Sequence, residues 1–159
     1  MGGAVSLGRD RGPAGESVVT CLTLDSSVIV AALNKHERQH RECRRLLQMV
    51  KDGEFIALEP YTVLVEVAAA IRRRTGDSDL ARRVRDDLQD IETLKFMELT
   101  TGRATMAAQI AEETGTRGMD AIVIQVAKEF DNPLISLDAE MIDRARPTVK
   151  TEAVEDVVK

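Results

Sequence analysis

The apolar and polar positions fall into two alternating kinds of segment. Residues 18–24 form a short β-branched and apolar run without alternation, the pattern of a central parallel strand buried on both faces. Asp25-Ser26-Ser27 ends it and offers caps to a short apolar helix over about residues 28–33. From His40 to Lys51 the apolar residues Cys43, Leu46, Leu47 and Val50 have amphipathic-helix spacing, and Asp52-Gly53 stops the run. A second strand is predicted over 55–58. The next helix has Pro60 at its first position and stops at Gly76. Ser78 caps a predicted helix over 79–94, and a third strand follows over 95–99. Helices over 101–114 and 120–130, a fourth strand over 134–137 and a short helix over 139–145 complete the series. Residues 149–158 are ambiguous and leave room for an edge strand.

Strands alternating with helices predict an α/β fold, a parallel sheet with helices on both faces. The 159 residues suit one domain over 18–159. Residues 1–17 hold five glycines and a proline without periodicity and read as a flexible extension. No internal repeat is visible.

Composition narrows the function. Hydrophobic residues at 43% and charged residues at 31% argue against wholesale disorder. No apolar run reaches membrane-span length, and no signal-peptide pattern is present. Two cysteines cannot make a disulfide framework, so a cytoplasmic setting is the default expectation. The net charge of −5 counts against a nucleic-acid binder, whose surface is usually basic. Aromatic residues at 3% exclude a base-stacking platform, so any RNA contact would run through phosphates and shape.

Four acids carry the candidate chemistry. Asp25 follows the first strand and Asp138 the fourth, and α/β sheets bind ligands at the carboxyl ends of their strands. Each also reads as a helix cap. Glu66 lies in Tyr61-Thr62-Val63-Leu64-Val65-Glu66-Val67-Ala68-Ala69-Ala70-Ile71, flanked by apolar residues on nearly every side. A carboxylate placed there is costly unless paired, protonated or metal-bound. Arg73 or Arg74 could pair with it instead, or a narrow exposed stripe could carry it. Asp120 opens an apolar helix and reads equally as its N-cap. Oxygen ligands on rigid supports suit Mg²⁺ or Mn²⁺. Cys21, Cys43, His36 and His40 lack zinc spacing. The arginines of 72–74 and 82–85, and the basic residues of 35–45, could bind phosphates. Interleaved Asp and Glu favour a solvated face for most of them.

These residues resemble the motifs of PIN domains. Leu24-Asp25-Ser26-Ser27-Val28-Ile29 is similar to that family's opening motif, and Pro60 through Glu66 to its proline-then-glutamate helix. Gly118-Met119-Asp120-Ala121-Ile122 is similar to its third motif. Pro133-Leu134-Ile135-Ser136-Leu137-Asp138 is similar to its last strand. The resemblance covers about residues 18–145. It implies a three-layer α/β/α fold with strand order 3-2-1-4 and a possible fifth strand. It also implies a Mg²⁺- or Mn²⁺-dependent endoribonuclease that leaves a 5′-phosphate and a 3′-hydroxyl. Asp25, Glu66 and Asp120 would be core ligands, and Asp138 a direct or water-mediated one. The layout is similar to small VapC-type toxins, which implies a cognate antitoxin and a homodimer as partners. Three positions depart from the family pattern. Ser27 stands where Asn is common, which predicts weaker support of the first acid. Leu137 stands where a basic residue often occurs, and Met141 replaces a frequent aromatic. A phosphorylated receiver domain would need an acidic pair after its first strand, and a haloacid-dehalogenase phosphatase a second Asp in place of Ser27. The stronger alternative is a non-catalytic PIN-like module for RNA binding or protein interaction.

Overall fold

The computed structural model describes residues 19–159, so the expectations for residues 1–17 lie outside the described residues. Strand β1 (Thr20–Leu24) has Leu22, Thr23 and Leu24 all buried, so both of its faces are covered. It pairs in parallel with β2 (Phe55–Pro60) on one side, with Leu22 opposite Ala57. On the other side it pairs in parallel with β4 (Leu134–Ile135), with Leu24 opposite Ile135. Strand β3 (Leu94–Met97) adds to the outer edge of β2, and the sheet order is β3-β2-β1-β4. The chain therefore runs outward from β1 through β2 and β3, then returns to the far side of β1. That reversal opens a crevice beyond the carboxyl ends of β1 and β4.

Helices cover the sheet because parallel neighbours need crossovers. Helices α1 (Ser26–Leu33) and α2 (His40–Lys51) pack on each other, and α2 also packs on β2. Helix α3 (Tyr61–Thr75) packs on α1 and α4 (Ser78–Gln89). Helix α5 (Thr101–Thr114) lies on α6 (Gly118–Glu129), which in turn rests on β1 and β2. Helices α7 (Ala139–Ala145) and α8 (Val154–Val157) close the chain. The core joins Leu22, Leu24, Ile29, Leu46, Ile124 and Ile135, each at most 1% exposed. No helix of the described residues is long and apolar enough to cross a membrane.

Several boundaries differ from the sequence pattern. Pro60 closes β2 and caps α3 from outside, rather than sitting inside the helix. Helix α4 ends at Gln89, and a turn follows in which Leu94 N–H donates to Ile91 O. The fourth strand has two residues, so Asp138 follows its end by a short link rather than directly. The possible fifth strand reduces to one parallel bridge between Leu134 and Thr151. Beyond it, Val154 and Val158 are both buried, four residues apart, which is helical spacing; α8 docks there against α2.

Candidate metal centre

Asp25 sits where β1 turns into α1 and is 6% exposed. Its backbone occupies the N-cap position, yet its carboxylate makes no capping hydrogen bond. Instead Oδ2 accepts from Ser27 Oγ at 2.8 Å and from Ser136 Oγ at 3.0 Å. Both hydroxyls are themselves oriented. Leu137 N–H donates to Ser27 Oγ, and Asp138 N–H donates to Ser136 Oγ, each at 3.0 Å. A backbone N–H occupies a lone pair of each hydroxyl, which leaves the hydroxyl proton for Asp25. Both bonds fall on Oδ2, so Oδ1 is the oxygen left for a cation. Ser27, at a position where the family often has Asn, thus supports the first acid through its hydroxyl.

Glu66 lies half-buried on α3, between exposed Val65 and buried Val67. The pairing of Glu66 with Arg73 or Arg74 is not found: Arg74 pairs with Glu37, and Ser26 is the neighbour that favours the ionised Glu66. Burial raises the Glu66 pKa, and the charges of Asp25 and Asp120 raise it further. Asp120 is the third residue of α6 rather than its cap, a position held by Arg117. Its pKa is pushed up to about 6 by burial first, then by Asp25, Asp138 and Glu140, with Arg117 pulling against them. Asp138 is exposed and does cap its helix, accepting from Glu140 N–H and Met141 N–H on Oδ1. Asp25 and Asp120 thus lie near enough to Glu66, and Asp25 and Asp138 near enough to Asp120, for their charges to add to burial in disfavouring the ionised form of each.

Two acids were missed. Glu140 stands on the rim, 3.3 Å from Arg144. Glu59 is fully buried at the end of β2, where its Oε2 accepts Leu24 N–H at 3.1 Å and its Oε1 has no partner. Burial holds its carboxyl well above the usual carboxylate range. The signal was present in the alternation Phe55, Ala57, Glu59, which puts position 59 on the inward face.

The donor set fits a hard cation: oxygen ligands only, with mutual repulsion that a positive charge would relieve. Among the described residues no group of three or more His, Cys, Asp or Glu side chains is placed to hold a metal ion between them. From Ser27 and Asp138 a cleft of about 490 Å³ runs past Glu66 to Arg73.

Residues 22–147 match the family model of the PIN domain. The chain belongs to the PIN-domain family. No curated protein sequence matches it. Solved structures share the fold of this PIN domain at low identity. VapC20 of Mycobacterium tuberculosis, a sarcin-ricin loop cleaving toxin, superposes with a TM-score of 0.64 and 16% identity, over 77% of this chain and 93% of its own. The DNA-bound VapBC of Salmonella typhimurium gives 0.62 and 15%, over 86% and 99%. A toxin-antitoxin complex from Klebsiella pneumoniae gives 0.55 and 16%, over 74% and 86%.

Proposed function

We propose that this PIN domain is a Mg²⁺- or Mn²⁺-dependent endoribonuclease that hydrolyses RNA phosphodiester bonds, acting as the toxin of a toxin–antitoxin pair. The observation that carries the reading is an anchored Asp25 with Glu66 and Asp120 near it, both disfavoured as anions first by burial and then by neighbouring acids. Asp25, Glu66 and Asp120 would hold the ion. Asp138 has Oδ1 committed to backbone N–H groups, so it would act through Oδ2 and a water. A bound ion supplies a water of lowered pKa and stabilises charge on the leaving oxygen. The chain's own part is positional. Ser27 and Ser136 fix the Asp25 carboxylate, and the rigid ends of β1, α3 and α6 hold the other oxygens without further reorganisation. The open crevice admits a phosphodiester chain, and the scarcity of aromatics leaves recognition to the backbone.

The toxin–antitoxin assemblies among the structures named above support an antitoxin protein as a partner, and the family resemblance adds a second copy of the chain. Exposed Tyr61 and Val65, one turn apart on α3, suit burial in such an assembly. The test is cleavage of structured RNAs by purified protein with Mn²⁺, with EDTA, and as Asp25→Asn. Cleavage is expected with Mn²⁺ alone and is abolished by either change. Cleavage that persists in both controls overturns the reading.

A further inference from the structure

The cleft that begins at the acids ends on an arginine with no acidic partner. Arg73 lies seven residues after Glu66 on α3, two helical turns further along the same face and about 10 Å along the axis. Between them the lining residues are Ala69 and Ala70, whose small side chains keep the trough open. Most other arginines near α3 and α4 are spoken for: Arg74 by Glu37, Arg82 by Asp79, Arg85 by Asp86. Arg73 is exposed, lines the cleft, and makes no ion pair or hydrogen bond among the described residues. The chain as a whole carries a net charge of −5, whereas the last turn of α3 holds Arg72, Arg73 and Arg74 in succession. An unpaired guanidinium at the end of a trough that starts at a candidate phosphodiester-cleaving centre has one evident complement, a phosphate.

We propose that Arg73 is the phosphate anchor of this cleft, gripping a phosphate that flanks the scissile one and fixing the direction in which an RNA strand crosses the acids. The inference rests on the ribonuclease reading above. The distance from Glu66 places the contact on a neighbouring phosphate rather than on the reacting one. A planar guanidinium can take two phosphate oxygens at once, whereas a lysine would meet them as a point charge. Charge is the dominant contribution, so a lysine should preserve most of the effect.

The test uses full-length protein in an Asp25→Asn background, which prevents cleavage, and a fluorescein-labelled single-stranded RNA of mixed sequence. Affinity is measured by anisotropy across a series of salt concentrations. Arg73→Ala is expected to flatten the slope of log K against log salt by about 0.7 and to weaken binding about fivefold at 0.1 M salt. Arg73→Lys should restore the slope, and Arg82→Ala, outside the cleft, should leave it unchanged. Mn²⁺ affinity of the otherwise wild-type chain, read by electron paramagnetic resonance, should be the same with and without Arg73→Ala. An unchanged salt slope in Arg73→Ala overturns the anchor and leaves the ribonuclease reading standing, as does a loss of Mn²⁺ affinity. Absence of RNA binding in the parent protein at low salt overturns both.

Discussion

Glu59 and Glu66 stand seven residues apart on either side of Pro60, and they make opposite use of burial. Glu59 is sealed inside the sheet, with one oxygen on Leu24 N–H and the other without a partner. Its carboxyl is best held neutral, since no counter-charge offsets the lost hydration. Glu66 is half-buried at a cleft mouth, near two other carboxylates. Both pKa values are raised, but the dominant burial has a different meaning in each. An acid sealed from solvent can be a structural hydrogen-bond acceptor. An acid at the mouth of a cleft, in the company of other acids, is a place for a cation. Burial alone does not distinguish them; charged company and a path to water do.

The largest effect that separates the pair is catalytic. Glu66→Gln should lower kcat/KM for RNA about a thousandfold, the several kcal/mol that metal stabilisation supplies, with no loss of melting temperature. Glu59→Gln should leave cleavage and melting close to wild type, because an amide oxygen can accept Leu24 N–H. Glu59→Ala should cost about 2–4 kcal/mol in chemical denaturation, from the cavity and the orphaned N–H. Loss of cleavage in a normally melting Glu59→Gln protein would break the comparison, since Glu59 would then serve the chemistry. A smaller effect belongs to the support of Asp25. Ser136→Ala should weaken Mn²⁺ binding about tenfold, measured by calorimetry, while the fold stands. Equal Mn²⁺ affinity in that variant would mean that the hydroxyl is only a strand-end cap.

The smallest effect is on stability against pH. Asp120 and Glu66 bind their protons more tightly in the folded protein than in the unfolded chain. For Asp120 that contribution is fully present below the unfolded value of 3.8 and is lost as pH rises through about 6. In EDTA, the melting temperature should therefore fall as pH rises across this window. Asp120→Asn should flatten the fall, and Mn²⁺ should reverse it by binding the ionised acids. A metal-free protein that gains stability across the same window would contradict the mutual repulsion of the acids.

Much of the architecture was legible because its punctuation is chemical. Asp52-Gly53, Gly76 and Gly115 stop helices as expected, and Gly76 and Gly115 do so at positive φ, a conformation that glycine adopts without cost. The end of α4 was not legible. Asp90-Ile91-Glu92-Thr93 holds neither Gly nor Pro, and the turn is made by hydrogen bonds to the Asp86, Leu88 and Ile91 carbonyls together with contacts of Thr93 to Val50 and Ala57. The fifth strand was misleading for another reason. Valine-rich sequence favours strands, but the spacing of Val154 and Val158 wins because α2 offers an apolar surface to a helical turn. At the site, Asp25 and Asp138 were legible as acids at element ends and Glu66 as an acid in an apolar helix, while Asp120 rests mostly on the resemblance, since a helix cap explains it nearly as well. The orientation of Ser27 was not legible, because the Leu137 N–H that fixes its hydroxyl lies 110 residues away and no local pattern announces it.

That separation has a consequence for synthesis. The bond from Ser136 to Asp25 spans 111 residues, and the one from Leu137 to Ser27 spans 110. Domains emerge from the ribosome amino-terminus first, and pairings this distant form only after the whole intervening chain is available. A nascent chain that already carries Asp25, Ser27 and Glu66 still lacks β4, the Ser136 hydroxyl that also holds Asp25, and the Leu137 N–H that orients Ser27. On the proposed function, the centre would be completed among the last steps of translation. The order of the strands would then act as a timer, keeping the enzyme unfinished while it is still tethered to the RNA-rich machine that makes it.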